Sequence, residues 1–312
     1  MLTNWKMSLS HKHKAYLALC ATSFIWGSTW VASKIAVEKV PGLQISAFRQ
    51  LMAGIVFITF FKLKGEPWPK FRQLKRLLFI ALFLLIFANG LSTWSIRYIS
   101  SGLGALIGAL FPLFVVIIEM IWFKIQVKAL TFIGLFLGIA GIGYVFYDSA
   151  FHHQQEGYIF GVVLGLVATL SWSIGTIMVA RTKMDINPYY GMGWQMVLSA
   201  PLIMTMGLAT GEHIPLSEMP LVSWGGLAYL VVAGSCIAFV CFIYSMKHLP
   251  APIASLYAYI NPMVAIMIGA VLLSEPLTVD LLIGAVITIA GVYLVNASLK
   301  EKPTTVPAEK EM

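Results

Sequence analysis

Apolar segments of about twenty residues, the length of a membrane-spanning helix, follow one another along almost the whole chain. Only 11% of the 312 residues are charged. This excludes a soluble enzyme, a disordered chain and a fibrous protein, because a water-soluble globule of this size needs far more polar surface. The sequence predicts an all-α polytopic membrane protein with ten transmembrane helices, at about 15–37, 43–63, 76–97, 101–123, 129–147, 157–180, 189–209, 221–246, 251–274 and 278–298.

Basic residues fall unevenly on the connections between these segments. If both termini are cytoplasmic, 17 of the 21 lysines and arginines lie on the inner side, and Lys34, Lys39 and Arg97 lie outside. Connections rich in Lys and Arg stay in the cytoplasm. The pattern therefore predicts that residues 1–14 and a disordered tail over 299–312 are cytoplasmic. The net charge of +8 is then a signal of orientation, and it indicates no nucleic-acid partner.

The second half of the chain repeats the first. An offset of 150 superposes Pro112 on Pro262, and an offset of 146 superposes Trp26 on Trp172. Each copy contains five spans, and an odd number of spans inverts the second copy in the membrane. Inverted repeats are typical of secondary transporters, which open alternately to either side of the membrane about a central site.

The stretch 24–34 (FIWGSTWVASK), together with Arg49, resembles the first two spans of the EamA family in the drug/metabolite transporter superfamily. The stretch 254–291 resembles the last two spans of that family. The resemblance implies two EamA repeats and export of small metabolites, amino acids or drug-like compounds. The first half departs from the pattern, since it has Lys-Ile-Gln at 124–126 where the second has Ser-Glu-Pro at 274–276. The two repeats are 15–150 and 157–298.

Aromatic and amide side chains lie deep in several spans. Polar groups at membrane depth face the helix bundle or a wet cavity, and tryptophan rings bind ammonium groups through their faces. We therefore expect a central cavity lined by spans 1, 3, 4, 6, 8 and 9. Lipid-facing aromatics and helix–helix hydrogen bonds are the alternative explanations. The predicted substrate-binding wall consists of Trp26, Trp30, Asn89, Trp94, Trp172, Tyr257 and Asn261.

Three charged side chains lie within the spans or close to their ends. Glu119 stands alone in an apolar run and is a candidate for binding a proton in coupled transport. The alternative is that it reaches the membrane interface near Lys124. Lys34 and Arg49 are candidates for contact with a substrate carboxylate. The alternative for these two is structural, such as an ion pair of Lys34 with Glu38 one turn away.

Two prolines related by the repeat predict kinks in spans 4 and 9. Proline lacks the N–H that would continue the helix, so Pro262 frees a carbonyl near Ala258, and Pro112 lies at the matching position of the first repeat. A transporter is expected to flex or to expose backbone at such points.

Motifs for chemistry and for nucleotide binding are missing from the sequence. It contains no P-loop, dinucleotide-binding turn, H-E-x-x-H or G-x-S-x-G motif. His152 and His153 form a pair in a predicted outer loop with no third ligand nearby. The sequence therefore predicts no cofactor, no metal, no ATP and no enzymatic activity.

We expect an inner-membrane secondary transporter that exports a small organic solute by alternating access, driven by the solute gradient or by proton exchange. Its expected partners are the lipid bilayer and the small-molecule substrate. Three alternatives remain at this point: an importer of the same solutes, an intramembrane lipid-modifying enzyme, and a non-transporting scaffold or chaperone.

Overall fold

Ten helices follow one another in the part of the chain that the computed structural model describes, residues 9–152, 156–249, 253 and 256–300. The helices that match the predicted segments 15–37, 76–97 and 129–147 each extend at one end by more than a helical turn beyond the prediction. Most of the predicted cytoplasmic N-terminal segment and tail lies outside the described residues, as does His153. The helices are α1 (Leu9–Val37), α2 (Gly42–Leu63), α3 (Phe71–Ser95), α4 (Ser101–Phe123), α5 (Ala129–His152), α6 (Tyr158–Arg181), α7 (Pro188–Ala209), α8 (Leu221–His248), α9 (Tyr257–Leu273) and α10 (Val279–Lys300).

The helices have the length and composition of membrane spans. Eight of the ten described helices are long and apolar enough to cross a bilayer, and Ala129–Val145 of α5 and the whole of α9 are shorter apolar helices. Large apolar side chains such as Leu63, Phe136 and Val271 are exposed on the surface. Lipid tails solvate such a surface as well as a protein core does. The chain is therefore an all-α polytopic membrane protein, as predicted.

Local sequence signals set the helix starts. Asn187 precedes α7, and its side chain accepts a hydrogen bond of 3.0 Å from the N–H of Tyr189. Pro188 occupies the first position of α7, where a missing N–H removes no helical hydrogen bond. Ser100 caps α4 in the same manner, since its Oγ accepts from the N–H of Leu103 at 3.2 Å.

The duplication is visible in the backbone as well as in the sequence. Among the described residues, Lys124 (φ 51°) and Ser274 (φ 54°) are the non-glycine residues with positive φ, and the offset of 150 relates them. Each directly follows the last residue of its helix, α4 or α9. In addition, α3 and α8 each contain a π-helical segment, at Leu82–Gly90 and Leu230–Ile237. The two inverted five-helix repeats are thus confirmed.

Repeat-related helices pack directly against each other through glycine. α2 lies against α7, where a Cβ on Gly54 would lie 2.8 Å from the carbonyl oxygen of Gly193. α5 lies against α10, where a Cβ on Gly291 would lie 2.6 Å from the carbonyl oxygen of Gly134 and 2.3 Å from the nitrogen of Gly138. Small residues let helix backbones approach this closely in a membrane. These glycines therefore join the two halves of the molecule.

The two repeat-related prolines have different surroundings. α4 is interrupted at residues 109–110, and Pro112 lies in the first turn after the interruption, where it removes no helical hydrogen bond. Pro262 lies inside α9, which continues past it as one helix. The structure therefore has a break just before Pro112, whereas the kink expected at Pro262 does not interrupt its helix.

Candidate functional site

A cavity of about 200 Å³ lies among the helices. Eight helices contribute to its lining, and among the described residues only α5 and α10 contribute nothing. The six helices expected from the sequence all take part, and two more, α2 and α7, were missed as cavity helices. They contribute Arg49, Gln50, Met192 and Met196. The two methionines could not be selected from the sequence, because an apolar side chain in a span is compatible with both a lipid-facing and a cavity-facing position.

Most of the predicted wall lines this cavity. The exception is Trp94, whose ring packs edge-on against Phe160 of α6 at 5.2 Å between centroids. Its neighbours Ser92 and Thr93 do line the cavity. Successive residues of a helix point about 100° apart, so Trp94 is turned away although it lies at the right depth. The predicted residues in the lining are Trp26, Trp30, Asn89, Trp172, Tyr257 and Asn261.

Aromatic rings form one part of the wall, centred on Trp26. Its indole lies 5.3 Å from the ring of Tyr257, 4.9 Å from Phe242 and 6.4 Å from Phe239, measured between centroids. Its Nε1–H donates to the carbonyl oxygen of Gly234 at 3.1 Å. The indole is thus fixed by packing and by a hydrogen bond between α1 and α8. The sequence gave no reason to select the two phenylalanines.

Glycines make room for a second tryptophan. A Cβ on Gly104 would lie 3.1 Å from the Trp30 ring, and one on Gly108 would lie 3.0 Å from it. The row of small residues in α4 therefore provides a slot for the indole. Trp30, Gly108 and the neighbouring Ala109 all line the cavity.

A guanidinium group lies at the cavity wall. Arg49 of α2 donates from Nε to Oγ of Ser235 on α8 at 2.9 Å. A Cβ on Gly234 would lie 3.3 Å from an Nη atom of Arg49, so this glycine leaves space for the charged group. Arg49 is the one lysine, arginine, aspartate or glutamate in the lining, and within the described ranges no carboxylate forms an ion pair with it. The site therefore carries a positive charge that its described surroundings do not neutralise.

Amide groups lie beside this charge. Asn89 of α3 accepts two hydrogen bonds at its Oδ1, from Ser46 Oγ at 3.2 Å and from Gln50 Nε2 at 2.9 Å. Gln50 Oε1 is buried and has no hydrogen-bond partner in the described part of the chain. Buried polar atoms are almost always paired. Gln50 Oε1 is thus an acceptor for which the described residues supply no donor.

Asn261 joins the cavity wall to α1. With its side-chain amide oriented to donate, its nitrogen lies 2.8 Å from the carbonyl oxygen of Ser23 and 3.1 Å from that of Tyr257. The bond to Ser23 holds α9 against α1, and the bond to Tyr257 lies within α9. The helix–helix alternative to substrate contact therefore applies to Asn261, although part of the residue lines the cavity.

Glu119 lies outside the cavity lining. Its Oε1 is 3.4 Å from Nη2 of Arg181 at the end of α6, and the Glu119 side chain is 30% exposed. The Arg181 guanidinium also lies 3.5 Å from the centre of the Phe123 ring. These contacts favour the structural alternative, although the partner is Arg181 and the sequence pointed to Lys124.

Lys34 is also absent from the cavity lining. Its Nζ donates to the carbonyl oxygens of Ile96 at 2.9 Å, Arg97 at 3.4 Å and Ile99 at 2.8 Å. These carbonyls lie in the connection between α3 and α4, at the end of the bundle where α1 ends. The structural role is therefore the one that the geometry favours, with backbone carbonyls in the place of Glu38.

This arrangement has the features of a binding site for a small polar solute. Its described lining combines the Arg49 cation, an amide oxygen with no partner among the described residues, and aromatic faces within a space of about 200 Å³. Pockets for drug-sized ligands are larger, at ~300–1,000 Å³. Among the described residues, no group of three or more His, Cys, Asp or Glu side chains is arranged to hold a metal ion.

Comparison with known sequences agrees with the family resemblance found in the sequence. The model of the EamA-like transporter family matches residues 13–147 and 159–297. The uncharacterized inner membrane transporter YedA of Escherichia coli K12 is 31% identical over 300 residues, which cover 93% of this chain and 94% of YedA. The uncharacterized transporter YoaV of Bacillus subtilis is 22% identical and covers 90% of this chain and 96% of its own length.

Further similarities extend to a plant protein and to a solved structure. A WAT1-related chloroplastic protein of Arabidopsis thaliana is 26% identical over 289 residues, which cover 90% of this chain and 69% of that protein. A crystal structure with 16% sequence identity superposes with a TM-score of 0.61 and covers 93% of this chain and 99% of that chain. At this identity the structural match supports the fold alone.

Proposed function

The chain belongs to the EamA-like transporter family, and on that premise we propose that it exports a small, carboxylate-bearing organic solute across the inner membrane by alternating access. The observation that carries this proposal is the guanidinium of Arg49 in the cavity wall, without a carboxylate partner in the described part of the chain. The bilayer and the solute are its partners.

A charged group in a membrane-embedded cavity requires compensation. Burying an unpaired charge is costly, and intramembrane cations commonly mark the path of a substrate or an ion. Ser235 occupies the Nε–H of Arg49, which leaves the two terminal amino groups for a ligand. A carboxylate can accept from two guanidinium N–H groups at once, which makes the contact strong and directional.

The rest of the cavity favours a solute that also carries a donor group. Gln50 Oε1 has no donor among the described residues, and the faces of Trp26 and Tyr257 suit an ammonium group. The volume of about 200 Å³ favours a metabolite of amino-acid size over a larger drug-like compound. An amino acid carries both charged groups within this volume.

Alternating access is supported by the inverted repeat. Helices α1, α4, α6 and α9 form two repeat-related pairs around the cavity, and a rocking motion of one repeat against the other would expose it to each side in turn. The solute gradient or proton exchange would drive export, with Glu119 as the candidate proton site from the sequence. We propose cytoplasmic termini on the distribution of basic residues.

Ligand-dependent thermal stabilisation of the purified protein tests the substrate class directly, because a ligand that binds the folded state raises its unfolding temperature. The panel pairs each amino acid with the amine that lacks only its carboxylate. We expect stabilisation by at least one amino acid and none by its matched amine. Equal stabilisation by the two members of every active pair would contradict the proposal.

Import is the competing direction for the same site. Inside-out and right-side-out vesicles distinguish the two, once the panel has identified a ligand. Export predicts faster uptake of that ligand into inside-out vesicles when each preparation is tested with a gradient directed inward.

A further inference from the structure

The connection between α3 and α4 lies at one end of the cavity. Ile96 in this connection and Ser33 near the end of α1 both line the cavity. In the proposed orientation this end faces outward, so the segment 96–102 lies between the bound solute and the outside. It links two cavity helices, so its position affects both of them.

Lys34 holds this segment from α1. Its Nζ donates to three carbonyl oxygens of the segment, at 2.8 to 3.4 Å. A cation near the last carbonyls of a helix also interacts favourably with the negative end of the helix dipole, here that of α3.

Glu275 holds the same segment from the other repeat. It follows α9, and its carboxylate accepts from the Ser101 N–H at 2.8 Å, from Ser101 Oγ at 2.7 Å and from the Gly102 N–H at 3.4 Å. A carboxylate at a helix N-terminus is favoured by the positive end of the dipole. A Cβ on Gly269 would lie 2.6 Å from Glu275 Oε2, so Gly269 leaves room for the carboxylate.

The internal repeat relates the contacts of Lys34 and Glu275 to the Glu119–Arg181 ion pair at the opposite end of the helix bundle. The offset of 150 places Glu119 opposite Gly269, and the offset of 146 places Lys34 opposite residue 180, next to Arg181. In the first repeat, the carboxylate at this position belongs to Glu119 itself. In the second repeat, the carboxylate of Glu275 lies beside Gly269, the residue that matches Glu119. The Glu119–Arg181 contact is longer and more exposed, at 3.4 Å, than the contacts of Glu275 with Ser101.

We propose that Lys34 and Glu275 form an outer latch that must release segment 96–102 before the cavity opens outward, and that Glu119 and Arg181 form its weaker inner counterpart. The latch rests on the proposed transport function, and it adds two gating residues that lie outside the described cavity lining. In this structure the outer latch is engaged.

The test measures outward opening without any substrate. Cys20, Cys236 and Cys241 are replaced by alanine, and Ser92 in the cavity lining is replaced by cysteine as a reporter. A membrane-impermeant maleimide is then added to right-side-out vesicles. We expect Glu275→Gln to raise the labelling rate of the reporter about tenfold, because hydrogen bonds to a charged acceptor are lost.

Matched variants separate the latch from a general effect of charge or folding. Asp280→Asn removes another acidic residue close in sequence to Glu275, in the first turn of α10, whose carboxylate accepts from Tyr144, and we expect it to leave the labelling rate unchanged. Ser101→Ala is the milder latch variant and should raise the rate by a smaller factor than Glu275→Gln. Glu119→Gln should raise labelling in inside-out vesicles only.

The latch is overturned if Glu275→Gln and Ser101→Ala both label at the rate of the parent, or if Asp280→Asn accelerates labelling as much as Glu275→Gln does. Either result leaves the binding of a carboxylate-bearing solute untouched, because the reporter assay contains no solute. Conversely, a failed ligand panel together with accelerated labelling would retain the latch and reject the proposed substrate class.

Discussion

Arg49 on α2 donates its Nε–H to Ser235 Oγ on α8, at 2.9 Å, and so joins the first repeat to the second across the cavity wall. The bond fixes the plane of the guanidinium and leaves its outer edge for a ligand. Because the two residues belong to different halves of the molecule, a rocking of the halves would move this contact. Orientation of the cation and conformation of the transporter are therefore expected to be coupled.

Removal of the orienting hydroxyl tests this coupling. We expect Ser235→Ala to raise the KM for the exported solute about tenfold, since a hydrogen bond to a charged group contributes ~1.5–3 kcal/mol. Ser245→Ala is the matched control, because Ser245 is also buried in α8 and its Oγ donates to the carbonyl oxygen of Phe242 in its own helix. An unchanged KM in the Ser235 variant would refute the orienting role.

The slot for Trp30 predicts a strong effect of a single methyl group. In Gly108→Ala the new Cβ would lie 3.0 Å from the indole and displace it into the cavity. We expect transport to fall several-fold and the free energy of unfolding to decrease by ~1–3 kcal/mol, as for other overpacked sites. Gly143→Ala in α5 meets no atom within 4 Å and should change neither quantity. Similar rates for the two variants would be incompatible with the slot.

The glycine contact between α5 and α10 predicts a defect in folding rather than in binding. In Gly291→Ala the Cβ would lie 2.3 Å from the nitrogen of Gly138, so the two backbones must separate. We expect a lower unfolding temperature with an unchanged Kd for the solute, because neither helix lines the cavity in the described structure. Gly225→Ala, with open space around it, serves as the control. A weakened Kd at unchanged stability would contradict the assigned role.

Substitution of Glu119 distinguishes between the two candidate energy sources, the solute gradient and proton exchange. Its contact with Arg181 predicts that Glu119→Gln changes the transport rate by the same factor with and without a pH gradient. The measurement is solute flux in proteoliposomes at both conditions. A variant that transports normally but no longer responds to the pH gradient would instead assign the coupling proton to Glu119.

The sequence predicted the helices, the repeat and most of the cavity wall for a common physical reason. Polar groups in hydrocarbon face the bundle or a wet cavity, so Asn89 could be placed from its depth, and Trp26 from its depth together with its repeat-related partner Trp172. Trp94 does not line the cavity although it lies at the predicted depth, because depth does not fix the direction of a side chain around its helix. Phe239 could not be distinguished from a lipid-facing residue.

The contacts at the ends of the helix bundle could not be predicted from the sequence. Glu275 and Ser101 are 174 residues apart, and only the folded structure brings the carboxylate to the start of α4. Lys34 was recognised as a charged residue near the end of its span, but its partners are backbone carbonyls, which every residue carries. Side-chain type alone could not select them.

Flux of a paired amino acid and amine through reconstituted protein measures whether Arg49 selects for a carboxylate. We expect the wild-type protein to transport the amino acid in preference to the amine that lacks its carboxylate. We expect Arg49→Gln to lower kcat/KM for the amino acid at least about thirtyfold, in line with the ~2 kcal/mol or more lost when a buried charge pair is broken. Wild-type levels of amino-acid transport by a folded Arg49→Gln variant would refute the role of Arg49 in binding the solute.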